Sequence, residues 1–117
     1  MKRQPESEKD IQRGLIDYLE CLEKQKRLKY IRANAGMIPT EYKGKKHMVR
    51  LGKKGFSDLI VFLNGARTLF IEVKGTGKKQ TADQLAFEHA IQRLGFEYHV
   101  VDNMSAGIEL IQGRLFT

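Results

Sequence analysis

Residues 55–74, GFSDLIVFLNGARTLFIEVK, decide the fold. Leu59-Ile60-Val61-Phe62-Leu63 and Thr68-Leu69-Phe70-Ile71-Glu72-Val73 are β-rich runs around Asn64-Gly65, the punctuation of an antiparallel hairpin. Both runs are apolar on both faces, so the hairpin is expected at the centre of a sheet, covered on each side. Three charged residues break that pattern. Glu72 and Lys74 are two apart and project from one face. Asp58 stands at the start of the partner strand. A three-residue loop at Asn64 to Ala66 sets Asp58 opposite Glu72, and a five-residue loop sets it opposite Lys74. Either register gathers two carboxylates and one ammonium at one end of the hairpin. A register shifted by one residue puts them on opposite faces.

Such a cluster is costly unless something neutralises it, because like charges repel and burial removes the water that screens them. A hard divalent cation with oxygen ligands relieves the repulsion. Mg²⁺ is the natural candidate and Mn²⁺ is expected to substitute, since Mg²⁺ commonly takes one or two carboxylates and keeps several waters. A cation there makes water a better nucleophile and stabilises charge on a phosphate oxygen. Lys74 would then orient the water or neutralise the charge that builds on phosphorus. Each residue alone has a plainer reading. Glu-x-Lys on a strand is often a surface ion pair, Asp58 could cap a turn, and Gln84 could serve only as a capping partner of Thr81. The combination favours the metal site.

Outward from the hairpin, Ile11, Leu15, Tyr18, Leu19 and Leu22 recur at helical spacing between about Ser7 and Lys26, with Ser7 and Asp10 as a capping arrangement. Glu8 lies three before Ile11 and seven before Leu15, so it extends the apolar stripe inward. A short strand is expected at Leu28 to Asn34. Gly36, Pro39 and Gly44 then read as irregular chain. The stretch Lys43 to Lys54, KGKKHMVRLGKK, offers a short extended piece at His47 to Leu51, but Gly44, Gly52 and Gly55 favour a mobile basic loop, with Lys45, Lys46, Arg50, Lys53 and Lys54 available to phosphates. Lys78 and Lys79 form a second basic loop. Thr81 to Leu94 is a helix opened by a Thr81–Gln84 capping box and stopped by Gly95. Glu97 to Val101 is a strand, and Asp102 or Asn103 caps a last helix carrying Met104, Ile108 and Ile111. The expected fold class is α/β, a mixed β-sheet flanked by helices in the order α-β-β-β-α-β-α, forming a single domain over 1–117.

The 21 Lys and Arg residues exceed the 14 Asp and Glu by seven, which points to a polyanion, most simply nucleic acid. An apolar share of 41% with 30% charged residues excludes a disordered tail. No apolar run approaches the roughly 18 residues that cross a bilayer, and the opening Met-Lys-Arg-Gln-Pro-Glu shows no secretory pattern. Cys21 alone excludes an internal disulfide and a multi-cysteine zinc site, and fits a cytoplasmic setting. His47, His89 and His99 lack metal-ligand spacing.

The ordered set GFSDLIVF, then IEVKG, then Gln84 on a helix resembles the PD-(D/E)xK nuclease superfamily, and within it the VRR-NUC domain. The N-terminal helix with an inward Glu8 and the segment Arg32-Ala33-Asn34 extend the resemblance over about Glu8 to Val101. Ser57 stands where the superfamily's name has Pro. The resemblance implies a restriction-endonuclease-like core in which Asp58, Glu72 and the Val73 carbonyl hold the metal. Glu8 would reach it directly or through water. Lys74 would be the catalytic lysine and Gln84 would orient it or the water. Arg32, Asn34, Ser57 and Lys54 would contact phosphates. It implies a metal-dependent, structure-specific DNA endonuclease of the viral and bacterial type, most simply a four-way (Holliday) junction resolvase working as a homodimer in a bacterial or phage-infected cell. A flap, single-strand or nicking nuclease of the same fold is the first alternative, and a non-catalytic nucleic-acid-binding module is the second.

Overall fold

The computed structural model describes residues 4–33, 37–50 and 55–115. Its elements in chain order are α1 (Glu8–Lys24), β1 (Lys29–Arg32), β2 (Met37–Tyr42), β3 (Lys45–Arg50), β4 (Leu59–Leu63), β5 (Arg67–Val73), α2 (Ala82–Arg93), β6 (Glu97–Val101) and α3 (Met104–Arg114). The central sheet runs β1-β4-β5-β6, with β1, β4 and β5 antiparallel in turn and β6 parallel to β5. The hairpin thus occupies the two inner positions, as its double-sided apolarity requires.

Its register is the one set by a three-residue connection. Leu59 pairs with Ile71, Ile60 with Phe70 and Leu63 with Arg67, around a 3-10 turn at Asn64–Ala66. Gly65 and Ala66 both take positive φ there, 75° and 60°. The alternating faces then divide the core. Leu59, Val61, Leu63, Leu69, Ile71 and Val73 pack under Ile11, Leu15, Leu19 and Leu22 of α1 and Ile111 of α3. Ile60, Phe70 and Tyr98 form the opposite face, covered by Phe87 and Ile91 of α2 together with Phe56. Each fully buried leucine or isoleucine contributes on the order of 2 kcal/mol by leaving water. The two helices of the first face come close because Gly107 lacks a side chain: a Cβ there would sit 2.6 Å from Leu15 Cδ2.

Two expectations need correction. The order is α-β-β-β-β-β-α-β-α, because the stretch read as irregular chain and mobile loop forms a separate two-stranded ribbon, β2 paired with β3. Its connection is Lys43-Gly44, with φ of 52° and 74°, the conformation of a two-residue hairpin turn. Lysine is an unusual first residue for that turn, and Pro39 argued against a strand. A proline is tolerated because a two-stranded ribbon leaves every strand an outer edge that needs no donor. The second correction concerns Glu8. It begins α1 at the point where the buried stripe ends, so it is exposed rather than packed in the core, yet its carboxylate still turns toward Asp58 and Glu72.

Candidate active site

Asp58 immediately precedes β4, and the register carries it to the position facing Glu72 near the end of β5. Among the described residues its carboxylate caps no turn. Its Oδ2 accepts a hydrogen bond of 2.7 Å from the Val73 amide, while its carbonyl accepts from Ala33 N at 2.9 Å. The carboxylate therefore takes over a ladder bond just where the strand pairing stops. Glu72 is wholly buried and Asp58 nearly so. Glu8 joins them from the start of α1: one oxygen from each of the three carboxyls lies within 4.8 Å of the others.

The position of Glu8 depends on the preceding residues. Glu6 N donates to Thr76 Oγ1, Thr76 N donates back to Glu6 O, and Thr76 Oγ1 donates to Asp102 O. Glu6 Oε2 also accepts from Met104 N at the first residue of α3. Ser7 then caps α1, accepting from Asp10 N. The chain is pinned at Glu6, two residues before Glu8, so the Glu8 carboxylate starts from a fixed base.

Electrostatics mark the three acids apart from an ordinary ion-pair network. Burial, the Asp58 charge and a hydrogen bond with Asp58 push the Glu72 carboxyl up to about 9, against the pull of Lys74. Asp58 is also raised, chiefly by burial, while the Val73 amide, Glu72, Lys74 and Arg32 work the other way. Glu8 is raised by burial and by Asp58. Without a cation the cluster holds a proton that glutamates elsewhere surrender, which is the behaviour of acids placed together against their mutual repulsion.

Gln84 caps α2 and also reaches the cluster, where its partner is Glu72. Its Oε1 accepts from Thr81 N, completing the capping box, and its Nε2 donates to Glu72 Oε1 at 3.0 Å. One side chain thus anchors α2 and fixes an oxygen of the cluster. Tyr98 was not anticipated. Its Oη donates to the other oxygen, Glu72 Oε2, at 3.4 Å, and Gln80 Nε2 donates to Tyr98 Oη at 3.5 Å. Tyr98 pairs with Phe70 through the parallel β5–β6 register, which depends on how α2 returns the chain. Alternation within β6 gave its face, but nothing local gave its neighbour.

Lys74 and Arg32 bring positive charge near enough to act on the carboxyls. Arg32 ends β1 and is exposed. Ser57 is fully buried, and its hydroxyl has no hydrogen-bond partner among the described residues. Lys45 and Lys46 are exposed on β3, and Lys78 and Lys79 are exposed in the β5–α2 connection. Asn34, Lys53 and Lys54 lie outside the described residues, as does the side chain of Arg50. Gly55 closes the site from the side of α2. It has φ of 81°, and a Cβ there would sit 2.5 Å from the Asp83 carbonyl oxygen.

The donor set suits a small hard dication: three carboxylate oxygens, with no His or Cys in the group. Comparison with known proteins adds a family. The family model for the VRR-NUC domain matches residues 7–104, a span that holds every member of the cluster. A solved structure described as a VRR_NUC domain is similar in fold, with a TM-score of 0.60 and 20% sequence identity over 92% of this chain and 97% of that one. A search of curated proteins gives no match.

Proposed function

The chain belongs to the VRR-NUC domain family, nucleases of the restriction-endonuclease-like superfamily, and from that membership we propose that it is a metal-dependent, structure-specific DNA endonuclease. The observation that carries the reading is the convergence of Glu8, Asp58 and Glu72 beside Lys74, with Glu72 raised to about 9. Asp58, Glu72 and the Val73 carbonyl are the proposed ligands of Mg²⁺, and Glu8 completes the set directly or through water. When bound, the cation supplies Lewis acidity toward a phosphate oxygen and makes water a stronger nucleophile at neutral pH. Lys74 holds a positive charge where negative charge builds on phosphorus. Gln84 and Tyr98 hold Glu72 by neutral donors, so its orientation does not depend on an opposing cation. Arg32, Asn34, Lys45, Lys46, Arg50, Lys53, Lys54, Lys78 and Lys79 are the proposed contacts to DNA; Ser57, expected among them, is fully buried and is withdrawn.

The proposed substrate is a four-way junction and the proposed working form a homodimer. One chain presents one carboxylate cluster among the described residues, whereas a symmetric junction needs two matched cuts, which a two-fold pair of identical sites provides. No helix among the described residues is long and apolar enough to cross a membrane.

The test is a panel of junction, flap, single-strand and duplex DNA incubated with Mg²⁺, run beside Asp58→Ala and Glu72→Ala. Junction cleavage by the wild type and its loss in both variants, with DNA binding retained, is the expected result. Cleavage unchanged in both variants overturns the site. Preference for another member of the panel overturns the junction, and a monomer by sedimentation on a bound junction overturns the dimer.

A further inference from the structure

The charge on α1 changes sign along the side that faces β1. Lys9 and Arg13 lie in its first turns, followed by Asp17, Glu20 and Glu23. The acidic end is engaged with β1, where Glu20 accepts from the Tyr30 hydroxyl, Glu23 accepts from Tyr30 N, and Glu23 approaches Lys29 at 4.0 Å. The basic end has no such partners. Among the described residues Lys9, Arg13 and Arg32 make no ion pair or side-chain hydrogen bond. They line a groove of about 240 Å³, with Gln12 and Ile16 between them and Asp17 at its end.

Helical spacing explains the row. Lys9, Gln12, Arg13 and Ile16 follow the three- and four-residue steps of one helix side. Lys9 and Arg13 are separated by about 6 Å along the axis, four residues at about 1.5 Å each. Arg32 supplies the opposite wall, because the last residue of edge strand β1 projects on the α1 side of the sheet, sharing its pairing with Leu59. The groove also abuts the carboxylate cluster. Lys9 directly follows Glu8, and Arg32 is close enough to act on Asp58. A flexible polyanion laid along it meets cations near the cluster and is turned away by Asp17 beyond them.

We propose that Lys9, Arg13 and Arg32 form a phosphate-binding groove, which holds two backbone phosphates of the DNA strand beside the one presented to the cluster. Lys9 and Arg13 are exposed on the polar side of α1, and the approach of Arg32 from β1 makes them one wall of a shared groove. Gln12 offers a hydrogen bond to the sugar–phosphate chain and Ile16 an apolar floor. The groove rests on the nuclease reading only for the identity of the strand that enters it.

The experiment measures binding of junction DNA by fluorescence anisotropy in EDTA, across a series of salt concentrations. Removing Lys9 and Arg13 together, as Lys9→Ala/Arg13→Ala, is expected to lower the salt-dependence slope by about 1.8, or 0.9 per lost phosphate contact. At 0.1 M salt that slope corresponds to an affinity loss of up to about 60-fold, relative to the high-salt limit where the electrostatic contribution vanishes. The control removes two exposed cations elsewhere, Lys24→Ala/Arg93→Ala, and is expected to change affinity less than about threefold. Equal losses in the two double variants would show a diffuse charge effect and overturn the groove, as would an unchanged slope in Lys9→Ala/Arg13→Ala. Because no metal is needed, the result is independent of cleavage. A wild type that cuts no DNA defeats the nuclease reading alone, and a cutting enzyme with an intact slope in the groove variant defeats the groove alone.

Discussion

Replacing Glu72 by Gln tests whether the cluster is held against its own repulsion. A glutamate in the unfolded chain releases its proton near 4.5, but the native protein keeps the Glu72 proton up to about 9. Between those values the native state binds more protons than the unfolded state, so stability falls as pH rises, by up to about 1.4 kcal/mol per unit. Below 4.5 both states are protonated and the stability linked to this group is fully present; above 9 it has been lost. From pH 5.5 to 8 the wild type therefore loses about 3 kcal/mol through this one side chain. An amide keeps the shape, still accepts from Gln84 Nε2, and does not titrate. In EDTA the stability difference between Glu72→Gln and wild type is expected to move in favour of the variant over that pH range, by at most about 3 kcal/mol because the coupled Asp58 also shifts when Glu72 is replaced. Urea unfolding followed by circular dichroism measures it, and an unchanged m-value shows that the unfolded reference has not shifted. Saturating Mg²⁺ should then restore the wild type, adding about 2.7 kcal/mol at a hundredfold excess over Kd and little to the variant. A stability difference that stays flat with pH would falsify the claim that Glu72 is buried against a neighbouring negative charge.

Gln84→Ala is expected to cost about 1 kcal/mol through the lost capping box, seen as a lower Tm. Gln84→Glu keeps the acceptor for Thr81 N but sets a carboxylate against Glu72, so at pH 8 its cleavage should fall well below wild type while its Tm at pH 5 stays near it; parallel losses in both measurements would reduce Gln84 to a cap. Gly55→Ala is expected to lose about 2 kcal/mol or more in urea unfolding, because a side chain at positive φ is strained and the new Cβ meets the Asp83 carbonyl. A neutral effect would mean that α2 can move away from the site without cost.

The hairpin and its register were legible because they depend on local chemistry. Asn64-Gly65 and two apolar runs mark the hairpin and narrow its register to a few choices, and the three-residue connection selects the one that puts Asp58 opposite Glu72. The caps of the three described helices were legible for the same reason, Asn103 as one of two candidates with Asp102: Ser7, Thr81 and Asn103 each act within three residues. What escaped depends on distant pieces or on turn chemistry outside the common pattern. The β2–β3 ribbon turns on Lys43-Gly44, where lysine adopts a conformation more usual for asparagine or aspartate. Tyr98 reaches Glu72 only through a parallel register set by the α2 crossover. Glu8 follows the periodicity of the buried stripe, yet it is the first helical residue, where the stripe has already run past the edge of the core.

Two glutamates on neighbouring strands show what the site has given up. Glu97 on β6 pairs in register with Leu69 of β5 and accepts from Arg114 Nε at 2.7 Å, with His99 on the same oxygen. Those partners pull it down to about 2. Glu72, on the adjacent strand, is wholly buried and raised to about 9. The sequence is not short of cations to pair with it, since Lys and Arg outnumber the acids by 21 to 14. It is oriented instead by the neutral donors Gln84 and Tyr98, with Asp58 in turn held by the Val73 amide. A bidentate arginine at Gln84's position would relieve the repulsion and stabilise the metal-free fold, but it would occupy the oxygens and cancel the field that draws in a dication. Neutral donors fix where the carboxyls sit without neutralising them by a paired cation. Under the proposed function, the raised Glu72 and the lowered Glu97 are therefore the physical distinction between an acid kept for a cation from solution and an acid kept for the fold.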